Sequence, residues 1–408
     1  MGTTMKSHVL GVRNLFRVYG LKVGWWDCIL LVVNLTFDFF PGGMERWIIE
    51  FSKALKKRKI DSYIVTPQKF NDFLLSTNGV DFIFLDCPIT DNGFLNLFPY
   101  SFEASKKCLE LIRNERDAIL VVHKFKDLPA ACLVKKMVDV KIAYVLHNPP
   151  FGWLISPEGY RSYRMDFSRY VTEYNLWKKF VNYVDYFFSN SKWISSLYKK
   201  FEGLHVVPLY AGSDHVEQIL LNNVQRKNDA SNLSKPFILS VGSFEPRKRF
   251  DLLLKALSEL KSKNYRCFIV GGRRNPTPYI ELSRKLGLES KVKFFSKIDE
   301  ATLFDFYSNC YFYVHPANHE HLGIAVLEAM ASKVPVIVQN NGGVIELVKH
   351  EYNGFYFRDD DVKELVEYMT LLFNDKKLRE KMAFNSKKQA GKFRWDHVVE
   401  TFLKTIYK

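Results

Sequence analysis

The stretch His315–Glu346 reads HPANHEHLGIAVLEAMASKVPVIVQNNGGVIE, and its order of residue types decides the fold. Two glutamates, Glu320 and Glu328, stand eight positions apart with Gly323 between them. An apolar run, Ile324–Leu327, follows the glycine and continues through Ala329 and Met330. A β-like run, Tyr311–Val314, precedes the polar loop. A second, Pro335–Val338, and the turn Asn340–Gly343 follow it. The unit reads strand, polar loop, helix, strand, turn, which is how an open α/β sheet places a ligand beyond the carboxyl ends of its strands. A glycine that opens a helix lets backbone N–H groups and the positive end of the helix dipole face a phosphate. Carboxylates beside it suit sugar hydroxyls. Taken alone, the unit also describes an ordinary βαβ crossover with two solvated glutamates.

The same alternation extends in both directions. From Cys28 the segment CILLVVNL reads as a buried strand, and Met44–Lys57 as a helix with Trp47, Ile48, Phe51 and Leu55 on one face. Further β runs are expected at Ser62–Thr66, Asp81–Leu85, Ala118–Val122, Lys141–Leu146, Tyr186–Ser189 and His205–Pro208. The polar stretch Asn222–Pro236, NNVQRKNDASNLSKP, reads as a linker. A second series follows at Phe237–Val241, Cys267–Val270, Val292–Phe295, Tyr311–Val314, Pro335–Val338 and Phe355–Phe357, and the chain after Asp361 is helical in pattern. The expectation is an α/β protein of two Rossmann-like, doubly wound domains facing across a cleft. Its divisions are an extension at 1–27, a domain at 28–212, a linker at 213–236, a domain at 237–392 and a last helix at 393–408.

A chain of 408 residues with 47% apolar content can fill two cores. Its net charge of +15 favours an anionic partner: nucleic acid, an acidic membrane surface or a phosphorylated ligand. The six cysteines form no C-x-x-C pair and mostly sit in apolar runs, which points to reduced, buried thiols. The run Cys28–Val33 is far short of the roughly 20 residues a membrane span needs. Arg13 and Arg17 interrupt the apolar residues of residues 1–27, which argues against a signal peptide. With Lys6, Lys22, Trp25 and Trp26 that segment reads either as a basic interfacial stretch or as a surface helix. The sequon at Asn34 falls inside an expected strand and that at Asn232 in the linker, and neither carries weight.

Three further features point toward the cleft. Gly42 and Gly43, in PGGME after the first strand, let backbone approach a ligand at a helix start. No G-x-G-x-x-G accompanies them, so no dinucleotide cofactor is expected. His147 ends a strand before two prolines and suits proton or hydroxyl contacts. His123 ends another strand, with no rigid loop behind it. Arg247 and Lys248, in VGSFEPRKR, stand at a helix start where the dipole disfavours cations, which suggests an anion between them and the helix. Gly271-Gly272-Arg273-Arg274 is a second cationic loop. Taken on its own, each cluster is more readily explained as solvated charge. The aromatic series Tyr160, Tyr163, Phe167, Tyr170, Tyr174, Trp177 and Phe180 reads as a core-facing helix stripe, or else as a surface for a lipid or glycan. No metal site is expected.

These residues together resemble the retaining, nucleotide-sugar glycosyltransferases of the GT-B fold (glycosyl transferases group 1). The resemblance rests on Glu320-x7-Glu328, EAMASKVPVIV, NGGVIELV, VGSFEPRKRFDLLLKAL, the PGGME turn and the terminal FRWDHVVETFLK. It implies an acceptor-binding first domain, a donor-binding second domain and a last helix packed back on the first. It further implies that Glu320 contacts donor-sugar hydroxyls and that Glu328 binds the ribose. Backbone at Gly323 and Ile324 would hold the diphosphate, with Arg247 and Lys248 as its clamp. Gly42 and Gly43 would close on the donor phosphate, and His147 would stand near the reacting centre. Ser243 follows Gly242 where many members carry arginine directly after the glycine of a Gly-Arg-Leu segment, a departure shared by a Gly-Ser/Thr-Leu-Glu-Pro-Arg-Lys subgroup. HEHLGIAVLEAM is similar to the segment of mannosyltransferases that extend lipid-linked oligosaccharides.

The expected reaction is metal-independent, retaining transfer of a hexose from GDP-mannose or a UDP-sugar to a glycan or lipid-linked acceptor. It is expected in the cytoplasm, peripheral at an anionic cytosolic membrane face, with no nucleic-acid partner and no cofactor. An epimerase or phosphorylase acting on the same donors is the alternative on this fold. A basic nucleic-acid-binding protein is the alternative outside it, and it accounts for neither Glu320 nor Glu328.

Overall fold

The computed structural model describes residues 30–408 apart from 38, 40–41, 68–76, 88–96, 114, 116, 155, 157–166, 225–236, 261–263, 273 and 297. The first half builds a parallel sheet from β1 (Leu30–Leu35), β2 (Asp61–Thr66), β3 (Asp81–Phe84), β4 (Asp117–Val122), β5 (Lys141–Leu146), β6 (Tyr186–Ser189) and β7 (Val207–Pro208). Its strand order is β3-β2-β1-β4-β5-β6-β7. The second half repeats the plan with β8 (Phe237–Val241), β9 (Arg266–Val270), β10 (Val292–Phe295), β11 (Phe312–His315), β12 (Val336–Gln339) and β13 (Gly354–Phe357). Its order is β10-β9-β8-β11-β12-β13. Every residue of β1, β11 and β12 is buried, as expected of parallel strands covered on both faces, and this is why they read as mostly apolar runs.

Each sheet grows outward from its first strand, then restarts on that strand's other side. The reversals fall between β1 and β4 and between β8 and β11. Crossovers leave in opposite directions at such a point, and their loops part to open a crevice.

The expected linker at 213–236 begins as a helix, Asp214–Val224, which packs against helices Glu300–Asn309 and Ile324–Ala331. Its His215 is buried beside Trp395 and Glu328, so the polar character of the stretch describes only its later part. The last helix, Trp395–Ile406, returns to the first half. There Phe402 meets Phe51 at 5.2 Å between ring centres and Trp395 meets Trp47 at 5.9 Å. One apolar cluster runs from Trp47 and Phe51 through Trp395 and Phe402 to Leu327 and Met330, so the two halves share a core. Arg58, just past the end of helix Gly43–Lys57, docks the last helix by donating to the Asp396 carbonyl at 3.0 Å.

Of the aromatic series, Trp177 is buried in the first-half core, with Tyr174 and Phe180 packed against it. Tyr160 and Tyr163 lie outside the described residues, as do the side chains of Phe167 and Tyr170. Cys87, Cys108, Cys132, Cys267 and Cys310 are buried free thiols, and Cys28 lies outside the described residues. Residues 1–27 and Asn232 lie outside them too. Asn34 is fully buried and unavailable as a glycan acceptor. Among the described residues no helix is long and apolar enough to cross a membrane.

Candidate active site

The loops leaving both reversal points, with the end of β5, face one cleft of about 1490 Å³. Gly42, Gly43, His123 and His147 line it from the first half; Lys248 and Glu320 are among those that line it from the second.

Glu320 organises the second wall. One of its oxygens, Oε2, accepts from Arg247 at 3.3 Å, from His315 Nε2 at 3.0 Å and from Lys248. All four side chains are buried or nearly so. Burial alone would raise the Glu320 carboxyl, but Lys248 and Arg247 outweigh it and hold the group well below the usual carboxylate range. Burial pulls Lys248 down, and Glu320 partly offsets that pull. Arg247 and Lys248 sit on a single turn, Pro246–Lys248, just ahead of helix Phe250–Glu259 rather than inside its start. A protein carboxylate, Glu320, supplies a counter-anion for the unfavourable cation placement seen in the sequence. His315 belongs to β11, and its Nδ1 lies 3.1 Å from the Tyr313 hydroxyl. His315 and His319 have the spacing of a metal-ligand pair, but His319 turns away and meets Trp153 at 5.2 Å between rings. Among the described residues no cluster of three or more metal-ligating side chains forms.

The loop bearing Glu320 is fixed from beneath. Asn341 accepts from the His319 N–H at 2.6 Å and donates to Asn318 at 3.0 Å, and the Gly343 N–H donates to the Glu320 carbonyl at 2.7 Å. Gly342 has φ +74°, and a Cβ there would lie 2.4 Å from that carbonyl oxygen. Both facts demand glycine. Gly323, at φ +87°, then opens helix Ile324–Ala331. The Val326 and Leu327 N–H groups bond back to the Gly323 carbonyl, while those of Ile324 and Ala325 have no acceptor among the described residues. A Cβ placed on Gly43 would lie 3.8 Å from Ile324, so the glycine turn of the first half abuts this helix start.

Glu328 sits one helical face further in. It takes Arg46 Nε at 3.3 Å and His215 Nε2 at 3.5 Å on one oxygen, and the Tyr307 hydroxyl at 3.3 Å on the other. Burial pushes its carboxyl up, and the His215 and Arg46 partners bring it below the ordinary value. Arg46 comes from the first-half helix Gly43–Lys57 and also pairs with Glu300 of the second half. His147 follows β5 directly, with its Nε2 3.1 Å from Nδ1 of His123. Burial, with a smaller push from Lys124, drives the His147 imidazole down to about 3.

The structure therefore brings Gly42, Gly43, His147, Arg247, Lys248, Glu320, Gly323, Ile324 and Glu328 to one cleft. Arg46, His315, His215 and Tyr307 were not anticipated. Arg46 had a signal in GGMER, a cation in the first turn of a helix and therefore against the dipole. The others sit in apolar strands or helices, where nothing local marks them. In the second cationic loop Arg274 is exposed and reaches Glu245 at 3.6 Å, and Arg273 lies outside the described residues.

Comparison with known proteins matches residues 222–389 to the family model "Glycosyl transferases group 1" and residues 41–209 to "Glycosyltransferase Family 4". An uncharacterized glycosyltransferase of Methanocaldococcus jannaschii is 30% identical over 42% of this chain and 44% of its own. The chain thus spans about half the length of the curated relatives of this kind that it matches. An alpha-1,3/1,6-mannosyltransferase of Dictyostelium discoideum is 25% identical, covering 89% of this chain and 94% of its own. Among solved structures, Anabaena HepE in complex with UDP and glucose superposes with a TM-score of 0.72 at 20% identity, over 92% of this chain and 99% of that one.

Proposed function

This chain belongs to the glycosyl transferases group 1 family of GT-B glycosyltransferases, and from that premise we propose that it moves a hexose from a nucleoside diphosphate sugar to a glycan or lipid-linked hydroxyl, with retention and without a metal ion. GDP-mannose and UDP-sugars are the favoured donors. The mannosyltransferase likeness along nearly the whole chain supports the first, and the UDP-bound neighbour the second. The acceptor is at a cytosolic membrane face, reached peripherally, and a net charge of +15 suits an anionic surface.

One observation carries the reading. Buried Glu320, its charge set by Arg247, Lys248 and His315, stands at the start of a glycine-led helix that touches the glycine turn of the opposite half. In the proposed reaction the bond from the anomeric carbon to phosphate breaks and one to the acceptor oxygen forms on the same face. The acceptor proton passes to the departing phosphate. Charge grows on phosphate oxygens, and in this reading Arg247, Lys248 and the helix N–H groups stabilise it. Glu320 orients sugar hydroxyls. Glu328 still has lone-pair capacity on Oε2 for a ribose hydroxyl.

The test is a binding and hydrolysis screen of GDP-, UDP- and ADP-sugars with and without EDTA, followed by the anomeric configuration of any product. Turnover that requires a divalent ion, or an inverted product, would overturn the mechanism proposed.

A further inference from the structure

Behind His147, away from the cationic wall, a polar chain runs into the first-half core. Asn34 in β1 places its amide nitrogen 3.3 Å from the Tyr63 carbonyl oxygen, 3.2 Å from the Ser62 hydroxyl and 3.3 Å from the Ser52 hydroxyl. A backbone carbonyl only accepts, so the amide orientation is fixed with nitrogen toward Tyr63. The Asn34 oxygen then faces His123 Nε2 at 3.1 Å and must receive a proton from it. Burial, with His147 beside it, holds the His123 imidazole well below its ordinary value and therefore neutral, so it carries hydrogen on Nε2 and a lone pair on Nδ1. That lone pair lies 3.1 Å from His147 Nε2, so His147 must be the donor there. The reverse assignment sets an amide oxygen against a bare ring nitrogen, or, with the amide turned over, against the Tyr63 carbonyl. All three residues are buried, and an unmet polar contact there is costly. Trp47 packs against both rings, at 5.8 Å from His123 and 5.6 Å from His147, and holds the pair in place.

We propose that Asn34 and His123 are positioning residues that hold His147 as its Nε2–H tautomer, so that the histidine offers the cleft an acceptor, Nδ1, for a substrate hydroxyl. Nε2 is spent on His123, and Nδ1 has no donor among the described residues. The direction of every bond traces back to one backbone carbonyl in β2. The substrate hydroxyl rests on the glycosyl-transfer reading; the tautomer does not. His147 thus receives a hydrogen bond rather than giving one, which suits a sugar or acceptor hydroxyl and not a phosphate oxygen.

Two measurements test this. In the full chain labelled with ¹⁵N-histidine, two-bond proton–nitrogen correlation at neutral pH should show His147 with Nδ1 unprotonated and Nε2 protonated. The signal is assigned by its loss in His147→Gln. A protonated Nδ1 on His147 overturns the proposal, whether or not any glycosyl transfer is found. In the kinetic arm, His123→Leu removes the acceptor behind His147, and kcat should fall by about tenfold or more while donor KM changes little. His123→Asn, whose oxygen takes the place of Nδ1, should recover most of that loss. Equal loss in both variants, or none in His123→Leu, overturns the positioning role. Should His123→Leu fail to fold, the tautomer measurement on the unaltered chain decides alone.

Discussion

Three donors on one carboxylate oxygen make Glu320 the residue on which most depends. Glu320→Gln keeps the shape and removes the charge that Arg247 and Lys248 face. Breaking a buried pair from one side costs about 3–5 kcal/mol, so denaturant unfolding should show a loss of that order. Sugar transfer should fall about 10- to 100-fold in kcat/KM, the worth of a charged hydrogen bond. A variant with full activity would remove Glu320 from the site. The neutral histidines give a second prediction. Burial first, then Arg247, drives His321 down to about 3, as burial and Lys124 do for His147. The unfolded chain titrates these groups near 6.5, so between about pH 6.5 and 3 it binds protons that the folded chain refuses. Stability is therefore lost as pH falls through that window, by about 1.4 kcal/mol per pH unit for each histidine. His147→Asn or His321→Asn should flatten the slope of unfolding free energy against pH by roughly that amount, whatever it does to stability at pH 7. An unchanged slope would mean that the histidine titrates normally.

At the scale of elements, two glycines should behave in opposite ways. Gly342→Ala drives a methyl group into the Glu320 carbonyl at a φ of +74°, so the loop must move or the chain must lose stability. The strain costs about 1–3 kcal/mol. Gly43→Ala meets only Ile324 at ordinary contact distance, so melting should barely change. Yet the methyl group occupies the gap between turn and helix start, and donor KM should rise several-fold. If Gly43→Ala bound donor normally, the turn would not close on phosphate. These elements were legible in the sequence for a physical reason. Parallel strands buried on both faces leave apolar runs, and β5 and β8 fall where those runs predict. Glu320, Arg247 and Lys248 were legible as charge in loops at strand ends. Arg46 with Glu328, Glu346 with the Trp193 N–H, and Asn34 with His123 were not. Their partners lie 89 or more positions apart, and no local period records such a pairing. The helix Asp214–Val224 was missed because its buried face meets elements that come later in the chain.

Across the whole molecule, ion pairs and hydrogen bonds join the halves where the donor is proposed to enter. Arg46 lies between Glu328 and Glu300 of the second half, and Glu346 receives the Lys192 and Trp193 N–H groups at 3.1 and 2.8 Å. Arg46→Met leaves Glu328 and Glu300 without their shared cation. Small-angle scattering should then report a wider average separation of the halves in the absence of donor. Unfolding free energy should fall by about 3–5 kcal/mol. Unchanged scattering would mean that the shared apolar core alone sets the separation. The chain also passes between the halves twice, once between β7 and helix Asp214–Val224 and again where Trp395–Ile406 lies back along helix Gly43–Lys57. A door hung from one pin wobbles; hung from two, it swings about the line through them. Two crossings favour a swing about the line through them over a sideways slide, so that opening would carry the Glu320 rim toward or away from Gly43.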